Sequence, residues 1–67
     1  MTYQYARLAI GRTPKLKGIY DIELYTEDGE PLPIMSEDEA FMRFGCKKIK
    51  EYWLEDMVMH CILEGVK

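Results

Sequence analysis

Met57-Val-Met-His-Cys-Ile-Leu63 is apolar except at His60, and its conformation governs how the rest of the chain can pack. A short apolar run of this kind fits either a buried helix or a buried strand. The Glu- and Lys-rich flanks and the glycines at 45 and 65 favour a helix spanning 46–64. A strand over 57–63 is the alternative.

On a helix, the apolar residues of this run point in every direction, whereas an ordinary surface helix has one apolar stripe. A chain of 67 residues has little else with which to cover them. The pattern therefore predicts a homodimer in which this helix is buried between two copies. The predicted oligomer interface consists of Trp53, Met57, Val58, Met59, Ile62 and Leu63.

Two further segments, 3–10 and 19–25, alternate apolar and polar residues with a period of two, which predicts half-buried strands. The segment 11–18 between them begins and ends with glycine and contains Pro14, which predicts a loop. An antiparallel hairpin of these strands places Arg7 opposite Asp21 or Glu23.

The dipeptide Asp28-Gly29 predicts a turn, and the segment 30–34 after it can form only an edge strand because Pro31 and Pro33 lack N–H groups. Ser36 and Glu39 have the spacing of a capping box, which predicts a helix ending near Phe44 with Gly45 as its left-handed cap.

The predicted fold class is therefore α+β and the chain is a single small domain over 1–67. A three-stranded antiparallel β-meander of order 1-2-3 is followed by a short and a longer α-helix packed on one sheet face.

Charged residues are segregated along the chain, although the net charge is only −3. Residues 1–18 contain bases and no acid, and 19–39 contain acids and no base. Residues 40–50 again contain bases and no acid, and 51–67 contain four acids and one base, Lys67. Such segregation steers partners and excludes wrong ones more than it determines a fold.

This pattern predicts a small non-enzymatic protein-interaction module without a cofactor. We expect an acidic inhibitor or modulator of the kind that phages and mobile elements carry. Its target would be a larger intracellular protein, and a nucleic-acid-handling protein is one candidate. The expected partner-binding residues are Tyr3, Tyr5, Arg7, Asp21, Glu23, Tyr25, Glu27, Asp28 and Glu30. Two unpaired cysteines and the lack of any apolar run near the ~20 residues of a membrane span predict a cytoplasmic location.

A nucleic-acid-binding accessory protein is the alternative. It would use the basic loop 11–18 and the bases within 43–50 to bind phosphate, namely Arg12, Lys15, Lys17, Lys47, Lys48 and Lys50. The negative net charge argues against it.

Two weaker patterns concern chemistry. Asp56, His60 and Glu64 would share one face of the predicted helix as metal ligands or as a solvated stripe. Cys46, beside Lys47 and Lys48, would be an activated thiol or a small turn residue. Because neither pattern is supported by a second ligand or base elsewhere, we predict no metal site and no catalytic residue.

Overall fold

The structure, a computed structural model, describes residues 1–67. It contains helix α1 (Tyr3–Ala9), strand β1 (Asp21–Tyr25), helix α2 (Glu37–Phe44), strand β2 (Ile49–Glu55) and strand β3 (Val58–Leu63), with a 3-10 turn at Pro14–Leu16. The three strands form one sheet in the order β1-β3-β2, with β3 parallel to β1 and antiparallel to β2. The buried side chains of both helices meet those of β1 and β3 in one core, so both helices lie on the same sheet face.

The predicted antiparallel meander of order 1-2-3 is wrong, and so is the placement of both helices after the sheet. The chain is α+β with three strands and two helices, but its sheet is mixed and one helix precedes all three strands. The connection from β1 to the parallel strand β3 runs through α2 and β2, which places the last strand in the centre.

Helix α1 forms where alternation predicted a strand. The Thr2 hydroxyl accepts a hydrogen bond from the Tyr5 N–H (3.2 Å), and buried residues recur at the helical spacing of three: Tyr3, Ala6 and Ala9. Ala, Leu, Arg and Gln, which make up most of this segment, all favour helix. The predicted hairpin of 3–10 with 19–25 is therefore wrong, although Arg7 does lie 3.5 Å from Asp21.

The apolar run 57–63 contains the central strand β3 and not a helix, so the predicted helix over 46–64 is wrong and the alternative is confirmed. Met59, Cys61 and Leu63 are fully buried among the helices, whereas Val58, His60 and Ile62 are half-buried on the other face. A central strand with apolar residues on both faces reads as a continuous apolar run, which explains why its alternation was not visible in the sequence.

Strands β2 and β3 form a hairpin with a two-residue turn at Asp56-Met57. Both residues have positive φ, 54° and 63°, as a type I′ turn requires. This turn lacks the glycine that normally marks it, which is why the hairpin was missed in the sequence.

Helix α2 matches its prediction at both ends of its range. The Ser36 hydroxyl accepts from the Glu39 N–H at 3.1 Å, and the helix ends at Phe44. Two details differ: the Glu39 carboxylate pairs with Arg43 at 3.2 Å, and Gly45 has φ −53°, so it is not left-handed. The glycine is needed for space, because a Cβ there would lie 2.5 Å from the Phe41 carbonyl oxygen.

The two edges of the sheet differ. Beside β1, the predicted strand 30–34 is reduced to one bridge between Pro31 and Tyr25, with the turn at Asp28-Gly29 leading into it. Leu32 N–H donates to the Leu24 carbonyl across this edge. Beside β2, only the N-terminal end is paired, through a bridge from Lys48 to Thr2. The open edge is therefore that of β2. In the predicted meander, with the proline-containing strand at one edge, it would have been that of the first strand, 3–10, which is a helix in the structure.

Neither α1 nor α2 has the length and apolar character that a membrane-spanning helix requires.

Candidate functional site

One face of the sheet has no helix over it. Residues that are directly paired in a sheet point to the same side, and Trp53 pairs with His60, which pairs with Glu23. These residues face away from the buried Ile22, Leu24 and Met59. We call this surface the outer face; it consists of Asp21, Glu23, Tyr25, Glu51, Trp53, Glu55, Val58, His60 and Ile62.

Three aromatic rings occupy the centre of the outer face. The rings of Trp53 and His60 are stacked, with centroids 5.1 Å apart and planes 4° apart. Tyr25 packs against both, with its centroid 5.3 Å from that of Trp53. The Tyr25 hydroxyl lies 2.8 Å from His60 Nδ1, which fixes the orientation of both side chains. Trp53 nevertheless remains 41% exposed, so a large rigid aromatic surface is open to solvent.

Four carboxylates surround these rings: Asp21 and Glu23 on β1, and Glu51 and Glu55 on β2. All four residues are exposed. Partial burial, and then the charges of Glu23 and Glu55, raise the pKa of Tyr25. Lys50, the one lysine or arginine in the three strands, lies 3.9 Å from Glu27 at the bulge of β2. Arg7 of α1 lies 3.5 Å from Asp21, so Glu23, Glu51 and Glu55 are the carboxylates without a lysine or arginine partner.

The predicted partner-binding residues divide among several places. Asp21, Glu23 and Tyr25 lie on the outer face, as expected of an exposed sheet surface. Tyr3, by contrast, is fully buried, and Tyr5 is exposed on the helical side. Asp28 and Glu30 lie in and beside the exposed turn after β1, apart from the outer face.

Arg7 and Glu27, also predicted to bind a partner, have structural contacts. Arg7 donates to the Tyr3 hydroxyl at 2.9 Å and lies 3.5 Å from Asp21 and 3.8 Å from Glu37. It lines a groove of about 550 Å³ between the helices and the covered edge of β1, but these two carboxylates neutralise it. The Glu27 carboxylate accepts from the Gly65 N–H and holds the C-terminal residues against β1.

The six residues predicted as an oligomer interface do not form one surface. Met59 and Leu63 are fully buried in the core, and Val58 and Ile62 are half-buried on the outer face. Trp53 lies on the outer face and Met57 at the tip of the hairpin, 59% exposed. Because successive residues of a strand point to opposite faces of the sheet, Met59 and Leu63 lie on one side and Val58 and Ile62 on the other.

The predicted phosphate-binding bases are also separated. The loop with Arg12, Lys15 and Lys17 follows the C-terminal end of α1, whereas Lys47 and Lys48 lie beside its N-terminal end, where Lys47 accepts from the Tyr3 N–H. The seven residues of α1 separate the two groups by about 10 Å. Lys50 is already paired with Glu27.

The residues considered for metal binding or catalysis are dispersed as well. Asp56 is in the hairpin turn, His60 points to the outer face and Glu64 follows β3, and no group of three or more His, Cys, Asp or Glu side chains is placed to hold a metal ion. Cys46 is exposed beyond α2. Burial raises the pKa of the Cys61 thiol to about 12, which keeps it protonated and unreactive at neutral pH.

Three residues of the outer face were predicted neither to bind a partner nor to form the oligomer interface: Glu51, Glu55 and His60. The signal for the first two was present, since Glu51, Trp53 and Glu55 follow one another at the period of two that a strand requires. It was hidden because 46–64 was interpreted as a helix.

We found no match to this chain among family models, curated proteins or solved structures.

Proposed function

We propose that this chain is a non-enzymatic protein-interaction module whose outer face binds a basic surface of a larger protein and thereby modulates it. One observation carries the proposal: an exposed tryptophan, held rigid by Tyr25 and His60, lies among four carboxylates, of which only Asp21 has an arginine or lysine partner. This arrangement is complementary to lysine and arginine side chains.

The physical basis has two parts. Rigid aromatic rings supply large contact area at low entropic cost, and a cation over the face of Trp53 gains roughly 0.5–2 kcal/mol. The surrounding carboxylates attract basic partners and repel acidic ones, which sets partner choice and association rate.

A module without catalysis is supported by the state of the reactive groups. The Cys61 thiol is buried and protonated, and His60 is engaged by Tyr25 and stacked on Trp53. The two free thiols also fit a reducing compartment, and a cytoplasmic location is part of the proposal.

Nucleic-acid binding is the less favoured function. The bases that would contact phosphate lie at opposite ends of α1, and the aromatic rings that would stack on bases are surrounded by acids, which repel a phosphate backbone.

The chain offers a direct probe, because Trp53 is its only tryptophan. We expect its fluorescence to change on titration with an oligolysine peptide and to stay constant with an oligoglutamate peptide. The affinity for oligolysine should fall as salt is raised from about 50 to about 200 mM, because surface charge attraction is screened.

Two charge reversals test the site. Glu51 and Glu55 make no ion pair, so Glu51→Lys and Glu55→Lys leave the fold intact; each should weaken oligolysine binding by about tenfold. Asp38→Lys, an exposed acid on α2, is the matched control and should bind like the parent. Equal affinities in all four proteins, or no response to oligolysine, would contradict the proposal.

A further inference from the structure

Strand β2 has a free edge along most of its length. The two residues that flank a two-residue turn exchange backbone hydrogen bonds. From there along the strand, the N–H and C=O groups of alternate residues point toward the paired strand and away from it. Since Glu55 and Val58 flank the turn, the N–H and C=O groups of Tyr52 and Leu54 point away from β3. None of the backbone bonds outside the regular elements reaches them.

The edge is also exposed on both faces of the sheet. Tyr52 and Leu54 point to the helical side, yet they are 38% and 43% exposed, because the helices cover β1 and β3 and stop short of β2. A mostly apolar groove of about 450 Å³ lies beside them, between α1 and β2; it is lined mainly by Met1, Tyr5, Ala9, Pro14, Leu16 and Tyr52. On the other face, the same strand presents Glu51, Trp53 and Glu55.

We propose that the partner adds to β2 as a fourth strand through an extended segment in which basic and apolar side chains alternate. This inference rests on the function proposed above and specifies how the partner binds. The backbone of the segment pairs with Tyr52 and Leu54. Its lysines or arginines then lie on the outer face beside Glu51, Trp53 and Glu55, and its apolar side chains lie in the groove beside Tyr52.

The structure limits where this strand can be added. The opposite edge of the sheet is covered by the Pro31 bridge to Tyr25. The N-terminal end of β2 is occupied as well, because the Ile49 N–H donates to Met1 and Lys47 accepts from Tyr3. The free length is therefore 51–55, which an extended segment of about 17 Å covers.

A second copy of this chain fits the edge poorly. The two-fold register that uses the whole free length places Tyr52 opposite Leu54 of the other copy. Glu51 of each copy then lies directly opposite Glu55 of the other, and like charges in that position are destabilising. Shifting the register by one pair in one direction brings Glu55 against Ile49, whose N–H is already bonded to Met1. Shifting it in the other direction brings Tyr52 against Asp56, which lies in the hairpin turn. A basic strand meets neither obstacle.

Peptides of equal composition test the inference. Acetyl-Lys-Val-Lys-Val-Lys-Val-Lys-amide has the required alternation, whereas Val-Val-Val-Lys-Lys-Lys-Lys with the same end groups has the same charge without it. A third peptide is the alternating one with its valine nitrogens methylated, which removes the N–H groups that would face β2. Trp53 fluorescence reports all three titrations.

We expect the alternating peptide to bind at least about tenfold more tightly than the other two. Equal, salt-dependent binding of all three would overturn strand addition while leaving the acidic outer face as the binding surface. Binding of none would overturn both proposals. A dimer of the chain that persists at low micromolar concentration and excludes the alternating peptide would assign the edge to a second copy, and would also overturn the inference.

Discussion

Gly45 shows how a single residue can be required for space. It follows α2 with ordinary right-handed φ, so its conformational freedom is not used. Its carbonyl accepts from the Gln4 N–H, which joins α1 to the end of α2. Any side chain would begin 2.5 Å from the Phe41 carbonyl oxygen, a backbone atom that cannot turn aside.

We therefore expect Gly45→Ala to lower the free energy of unfolding by about 1–3 kcal/mol, through displacement of the backbone at the junction of the two helices. Gly18→Ala is the matched control, because nothing lies within 4 Å of a Cβ there and its φ is not positive. Urea denaturation followed by Trp53 fluorescence measures both. Similar free energies of unfolding for the two variants would show that the backbone at this junction can move to admit a side chain without loss of stability.

Cys61 and Cys46 should differ in reactivity. Only the thiolate attacks an aromatic disulfide reagent. Burial raises the pKa of Cys61 to about 12, so its thiolate is scarce at neutral and mildly alkaline pH, and the side chain is inaccessible as well. At pH about 8 we expect one thiol to react in the native chain and two in urea, with Cys46→Ser abolishing the native reaction. Rapid reaction of both thiols without denaturant would indicate that the core opens readily.

At the scale of elements, the hairpin turn carries backbone strain. Met57 has φ 63° and is 59% exposed, and a non-glycine residue in this left-handed region costs about 1 kcal/mol or more. The Met57 carbonyl accepts from the Tyr20 N–H, so the turn must hold this shape to connect with the segment before β1.

Met57→Gly should stabilise the chain by about 1 kcal/mol, because glycine adopts positive φ without strain. Met57→Ala is the control for loss of the side chain; it keeps the strain and should change stability little. Thermal unfolding by circular dichroism compares the three proteins. A glycine variant no more stable than the alanine variant would contradict the assignment of strain to this position.

The elements also show which parts of the fold are visible in the sequence. α2 was predicted correctly because its signals are local: the Ser36 cap and the acids of its first turn. β1 was found for the same reason, from five alternating residues. The identity of 57–63 depends on tertiary contacts, since an apolar run becomes a central strand only when helices cover one face and an aromatic cluster the other.

The same limit applies to the site. Asp21, Glu23 and Tyr25 lie on the predicted strand, and their role in binding a partner stays a prediction. Glu51 and Glu55 join them only because β3 lies between β1 and β2, and no local pattern specifies that strand order. The segment 3–10 was predicted as a strand because residues four positions apart, such as Ala6 and Ile10, share one face of a strand as well as one face of a helix.

At the scale of the whole molecule, the apolar helix that motivated a homodimer does not form. The homodimer itself stays a prediction from the sequence. Two copies joined through the edge of β2 or through the outer face would bring acids against acids.

We expect a mass near the 7.9 kDa of one chain at low micromolar concentration in light scattering. Salt at about 1 M screens surface charge. If repulsion between carboxylates keeps two copies apart, the measured mass should rise at that salt concentration. A stable dimer at low salt would favour the homodimer predicted from the sequence. It would contradict the inference that a second copy fits the free edge of β2 poorly.

The difference between the two edges also sets the stoichiometry of any assembly built through this sheet. The side of β1 is closed by the Pro31 bridge, while that of β2 is free along 51–55. A chain with one free sheet edge cannot link copies of itself into a continuous sheet by edge pairing alone, so it cannot build a fibre in this way. Under the proposed strand addition, the sheet of each chain takes up one extended segment.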